Sequence, residues 1–178
     1  MVAAIERSGR PTPAEFHAAI ASRSDYWFAA CLRITRNRDL AEDAVQEALL
    51  CAWQKRDQFQ RTSRLETWIH RIAVNAALQL MRKERPDRFQ PLPSEAVAPA
   101  ESPEQDAWDR DIAAVLTAAF KYLSDAERVC FVLKHMEQWR LREIADELDT
   151  DVGAVKQALF RAVKKLRVKV PDIRACES

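Results

Sequence analysis

The chain is predicted to be all-α: two small helical domains joined by a flexible Pro-rich linker, the second domain with a helix-turn-helix. Three observations predict this. Only two glycines, Gly9 and Gly153, occur in 178 residues, too few for the turns of a β-rich chain of that length. Apolar residues recur at spacings of three and four nearly throughout, the period of a helix with one buried face. Four prolines fall within residues 89–105, FQPLPSEAVAPAESPEQ, and divide the periodic regions in two. Pro91, Pro93, Pro99 and Pro103 lack an amide donor and disfavour helix at the residue before each, so an extended, mobile linker is expected there.

Before the linker the periodicity predicts helices over 13–21, 24–36, 39–56 and 63–84, and residues 1–22 are read as an N-terminal segment preceding a domain over 23–88. In the third of these helices Ala44, Val45, Ala48, Leu49, Ala52 and Trp53 share one side. Asp39, Glu42, Asp43, Gln46 and Glu47 share the other, and no Lys or Arg interrupts residues 39–54. In the fourth, Leu65, Ile69, Ile72, Ala73, Ala76 and Leu80 form the packing stripe. Opposite them stand Arg64, Trp68, Arg71, Asn75, Gln79 and Arg82. An acidic helix face thus precedes a face suited to nucleic acid.

After the linker, helices are predicted over 106–122, 125–137, 141–148 and 152–168, forming a domain over 106–172 with a tail at 173–178. Ser124 and Glu127 have capping-box spacing, so each satisfies a free amide near the other. Leu141, Ile144, Ala145 and Leu148 make a short amphipathic helix, Asp149-Thr150-Asp151 a polar turn, and Asp151 the N-cap of the helix that follows. This is helix-turn-helix spacing. With Val152, Val155, Leu159, Ala162 and Leu166 inward, the outer face carries Gly153, Lys156, Gln157, Phe160, Arg161, Lys164 and Arg167. Cations there suit phosphates or guanine edges, Gln an adenine, and Phe a thymine methyl. Gly153 near the helix start lets backbone amides approach a phosphate.

Net charge is only +1, yet the charge is segregated. Residues 39–47 hold four acids and no base, whereas 152–170 hold six Lys or Arg and no acid. Cys31, Cys51, Cys130 and Cys176 are far apart in sequence, and none has metal-type spacing to another Cys or a His; the first three are expected as reduced core thiols. His17, His70 and His135 are isolated, and no nucleophile arrangement or phosphate loop is present, so neither catalysis, a metal nor a cofactor is expected. No stretch has the length or apolarity of a signal peptide or a membrane span, which predicts a cytoplasmic protein with no direct membrane insertion.

In this order DLAEDAVQEALLCAW, FQRTSRLETWIHRIAVNAALQLMRKE, the proline-rich gap and LREIADELDTDVGAVKQALFRAVKKL resemble a bacterial extracytoplasmic-function (ECF) sigma factor, over about residues 23–170. The resemblance implies a region 2 domain, a region 4 domain, and a function in promoter recognition, DNA melting and transcription initiation. It implies that the acidic face, Glu42, Asp43, Gln46 and Glu47, docks on core RNA polymerase. It makes Phe59 to Leu65 the loop that captures an unstacked minus-ten base, with Arg61, Ser63, Arg64, Trp68, Arg71, Asn75 and Gln79 as the single-strand set. Trp68 lies at the edge of the packing stripe, and Arg71, Asn75 and Gln79 are the stronger candidates. Gly153, Lys156, Gln157, Phe160, Arg161 and Lys164 become the minus-thirty-five set, and an anti-sigma factor becomes an expected partner.

Three positions depart from the pattern. The family usually has glycine in the base-capturing loop where this chain has Arg61, and it often has Thr and Arg where Ala154 and Ala158 stand, which implies a missing base or phosphate contact. A rival reading is a two-domain regulator that binds duplex DNA while its first domain senses or dimerises. That reading accounts for residues 141–168 but leaves the acidic helix unexplained.

Overall fold

The computed structural model describes residues 9–86 and 118–169, and every described element is helical. The predicted linker, the tail and most of the predicted helix over 106–122 lie outside the described residues; of that helix, 118–119 are helical and Phe120–Tyr122 form a 3-10 turn. By contacts the chain divides into two units at Glu84.

In the first unit α1 runs Pro13–Thr35, α2 Arg38–Gln54 and α3 Leu65–Glu84, each packing on the other two. One helix replaces the two predicted over 13–21 and 24–36. The Ser22 hydroxyl donates back to the Ala19 carbonyl at 3.1 Å and the backbone stays helical through the expected gap. The boundary expected at residue 22 therefore falls inside α1. Thr12 and Glu15 form a capping box at its start, and Arg36, at φ 53, closes it in the left-handed region.

The seam between these helices is built on small residues. Ala41, Ala44, Ala48 and Ala52 line the buried face of α2, and Ala73, Ala76 and Ala77 that of α3, which lets the backbones approach closely. Bulk comes from Trp27, Ile34, Ile69, Leu78 and Met81, all nearly inaccessible. Val74, Ala77, Leu78 and Met81 extend the packing stripe of α3 beyond the predicted set, whereas Ile72 and Leu80 are only half-buried. Trp53, expected inside, is 38% exposed and sits on the rim, edge-on to Phe16 at 5.2 Å.

In the second unit α4 runs Asp125–Phe131 and continues as a π-helical turn over Val132–Met136, followed by α5, Leu141–Glu147, and α6, Val152–Lys169. The predicted capping box is present: the Glu127 amide donates to the Ser124 hydroxyl at 3.2 Å and the Ser124 amide to Glu127 at 2.9 Å. The turn between α5 and α6 is made without glycine. Asp149 takes φ 50, where a short polar side chain is tolerated, and the Thr150 amide reaches back to the Ala145 carbonyl at 2.9 Å. Asp151 caps α6 through the Ala154 amide at 2.9 Å.

Glu127 is buried at the base of this unit, with Lys165 at 2.7 Å and Arg161 at 3.5 Å. Burial pushes its carboxyl up, but the Lys165 hydrogen bond, the Ser124 amide and the Lys165 charge outweigh it, and the net shift is downward. A lowered carboxylate stabilises the fold above its unfolded pKa and loses that contribution as pH falls through the folded value. Thermal melting of wild type should therefore lose more on going from pH 7 to pH 3 than melting of Glu127→Gln. Parallel losses would show that the ion pairs add nothing.

Candidate polymerase and DNA surfaces

The row expected on α2 is presented to solvent: Asp39, Asp43, Gln46 and Glu47 are exposed and Glu42 is half-buried. Glu42 is not without a local counter-charge, because Arg38, one turn earlier, holds it at 2.8 Å. Asp43 and Glu47 carry no such pair among the described ion pairs. Leu50, 64% exposed, was missed by the sequence reading; it continues the Asp43, Gln46 and Glu47 row at i+7 from Asp43. Its signal is a leucine one turn after Gln46 and Glu47, on the polar side of the helix.

On α3, Arg71 and Gln79 are exposed with Arg64 and Ser63 just before the helix, while Trp68 and Asn75 are half-buried. Trp68 packs on Phe59, ring centroids 5.2 Å apart, and Phe59 is itself buried, so Trp68 anchors the loop to the helix. The Asn75 Oδ1 is enclosed and without a hydrogen-bond partner. A buried unpaired acceptor costs about 1–3 kcal/mol.

Arg61 differs from expectation. It stands at φ 54, the left-handed region that costs a side-chain-bearing residue roughly 1–2 kcal/mol and a glycine nothing. Its guanidinium does not face outward as a DNA contact. It donates to Glu15 Oε1 at 3.0 Å and Oε2 at 3.1 Å, and its Nε donates to the Gly9 carbonyl at 2.8 Å. The Arg61 hydrogen bonds, helped by the Thr12 amide, lower the Glu15 pKa to about 2.

On α6, Gly153, Lys156 and Lys164 are exposed and Phe160 is 48% exposed among them, as the helical period predicted. Gln157 is not on this surface: it is 8% exposed, with its Nε2 enclosed and unpartnered. It lies about one turn after Ala154 and directly before Ala158, and those two alanines are fully buried, so the packed face is wider than the stripe read from Val152, Val155 and Leu159. The missing contact inferred at Ala154 and Ala158 is accordingly a packing site here. Arg161 is half-buried and shared with Glu127.

Cys31 and Cys130 are buried and Cys51 half-buried, all free thiols; burial raises the Cys130 thiol to about 12, which leaves it protonated and unreactive. Burial, then the nearby Lys134 charge, lowers His135. Among the described residues no group of His, Cys, Asp or Glu could hold a metal, and no helix is long and apolar enough to cross a membrane.

Two family models match the chain, sigma-70 region 2 over residues 23–86 and sigma-70 region 4 over 113–166. The ECF RNA polymerase sigma factor SigG of Mycobacterium tuberculosis is 30% identical over 94% of this chain and 53% of its own length, so the chain spans about half of that relative. SigW of Bacillus subtilis is 29% identical over 84% of this chain and 85% of its own. SigL of Mycobacterium tuberculosis is 30% identical over 80% and 81%. A sigma factor RpoE from Bartonella quintana, solved with the anti-sigma factor NepR, shares the fold with a TM-score of 0.55 at 24% identity, over 88% of this chain and 97% of that one. With both regions in colinear order and a relative 30% identical over 81% of its length in the same class, the chain belongs to the ECF RNA polymerase sigma factors.

Proposed function

We propose that this chain binds core RNA polymerase in the cytoplasm and directs it to promoters, opening the minus-ten element with its first unit and docking on the minus-thirty-five element with its second. The observation that carries the reading is the pair of exposed faces on one three-helix unit. The acidic row of α2 repels DNA and so suits a basic protein partner, while Arg64, Arg71 and Gln79 suit a nucleic acid. The minus-ten set becomes Ser63, Arg64, Trp68, Arg71, Asn75 and Gln79, with Arg61 holding the loop rather than touching DNA. The minus-thirty-five set becomes Gly153, Lys156, Phe160, Arg161 and Lys164, without Gln157. Control by an anti-sigma factor is supported by the Bartonella quintana relative, which was solved in such a complex.

Run-off transcription with purified core polymerase on genomic promoter fragments tests the whole reading. Specific transcripts that require this chain are expected; a protected palindrome without polymerase would favour the duplex-binding regulator instead. Within that assay Asn75→Ala should spare duplex promoter binding yet reduce open complex about tenfold, the loss of one contact of roughly 1.4 kcal/mol. Permanganate reactivity reports the opening, and a template pre-melted across the minus-ten element should recover only part of it. Wild-type opening by the variant would make Asn75 merely structural.

A further inference from the structure

We propose that Glu15 on α1 is a positioning residue for the loop 59–64: acting through Arg61, it holds the loop in the left-handed turn that glycine would adopt unaided, so that the loop stands ready for an unstacked base. The inference deepens the minus-ten assignment above and rests on it.

Each nitrogen of the Arg61 guanidinium donates to the start of the first unit. Nη1 and Nη2 grip both oxygens of Glu15, and Nε takes the Gly9 carbonyl. Glu15 cannot swing away freely, because its Oε2 also accepts the Thr12 amide at 2.8 Å in the capping box. A second tie runs beside the first, from Arg10 to Asp57 at 3.2 Å, just ahead of the loop. On its other side the Arg61 guanidinium lies 6.0 Å from the ring of Phe59, which packs on Trp68. A continuous path therefore links Glu15 to Arg61, to Phe59, to α3. The backbone of Arg61 occupies a conformation that its own Cβ disfavours, so holding it there takes compensating contacts, and Glu15 grips the Arg61 side chain through both carboxylate oxygens. The link is not a pH switch: Glu15 is lowered, so its contribution is complete above the ordinary carboxylate range and lost only as pH falls toward about 2.

The test compares holoenzymes carrying wild type, Glu15→Ala, Arg61→Gly and the double variant, with Asn75→Ala alongside. Each is measured for affinity to a single-stranded minus-ten oligonucleotide at several salt concentrations, and for permanganate reactivity on duplex promoter. Glu15→Ala alone should weaken oligonucleotide binding about tenfold, the order of the left-handed penalty it leaves unsupported. Adding Arg61→Gly should restore most of that loss, because glycine needs no holder. Rescue by a second substitution is something general damage to α1 would not give.

If the Glu15→Ala loss persists undiminished in the Arg61→Gly background, the link is structural only and the proposal falls. It falls also if Arg61→Gly alone weakens binding with a shallower salt dependence, since Arg61 is then a phosphate contact. Sensitivity to Asn75→Ala with none to Glu15→Ala overturns the positioning role while leaving base capture intact. Insensitivity to both removes the minus-ten reading itself, and this inference with it.

Discussion

Reversing Asp43 and Glu47 to lysine together is expected to lower affinity for core RNA polymerase by at least about a hundredfold, some 2.7 kcal/mol, while leaving α2 helical. The two residues are exposed, one turn apart, and unlike Glu42 they are not held by Arg38. Their mutual repulsion at i and i+4 is the same for two cations as for two anions, so the helix itself should be indifferent to the change. What changes is the sign of the charge presented to a basic surface. Leu50, next along the row, should contribute by apolar burial: Leu50→Ala should speed dissociation with little change in salt dependence, whereas the charge reversal should also slow association. Core affinity by fluorescence anisotropy with circular dichroism on the same samples decides it. Intact helicity with wild-type affinity would remove this face from the polymerase interface.

Ala158→Arg should destabilise the second unit rather than add a DNA contact. Ala158 is fully buried on the face of α6 that also holds Ala154, Val155, Ala162 and Leu166, and α6 packs there against α4 and α5. Introducing a guanidinium demands volume the packing does not have and buries a charge with no anion prepared for it. A destabilisation of at least about 3 kcal/mol is expected, enough to lower the melting temperature of a unit this small by more than about 12 °C. Differential scanning calorimetry reads it directly. A folded variant that grips minus-thirty-five DNA more tightly would mean Ala158 faces the groove, and the packing described here would be wrong at that helix.

The helix pattern was legible because the apolar period is strong in α2, α3 and α6, and because Ser124, Glu127 and Asp151 cap in the way their spacing requires. The acidic row was legible for the same reason: once the alanines of α2 are inward, Asp43 and Glu47 have nowhere else to go. Gln157 and Trp53 were misplaced because a period of 3.6 fixes direction only to within a residue, and a face two helices wide buries positions that a single stripe leaves out. α1 runs unbroken past Ser22 with Phe16 and Ala19 before it and Trp27, Ala30 and Cys31 after it all buried, a continuity that propensity leaves open. Arg61 was legible as a departure but not as a cause. Its partner Glu15 lies 46 residues away, and only the tertiary fold brings them together.

The alanine seam of the first unit makes its tolerance to mutation lopsided. Enlarging Ala44, Ala48 or Ala73 would force packed backbones apart, so variation on the inner faces is confined to side chains no bigger than those present. The outer face of α2 bears no such constraint, since Asp43, Gln46, Glu47 and Leu50 touch little of their own protein. Under the proposed function, a lineage can therefore retune how strongly this chain binds its polymerase, one surface residue at a time, without passing through an unfolded ancestor.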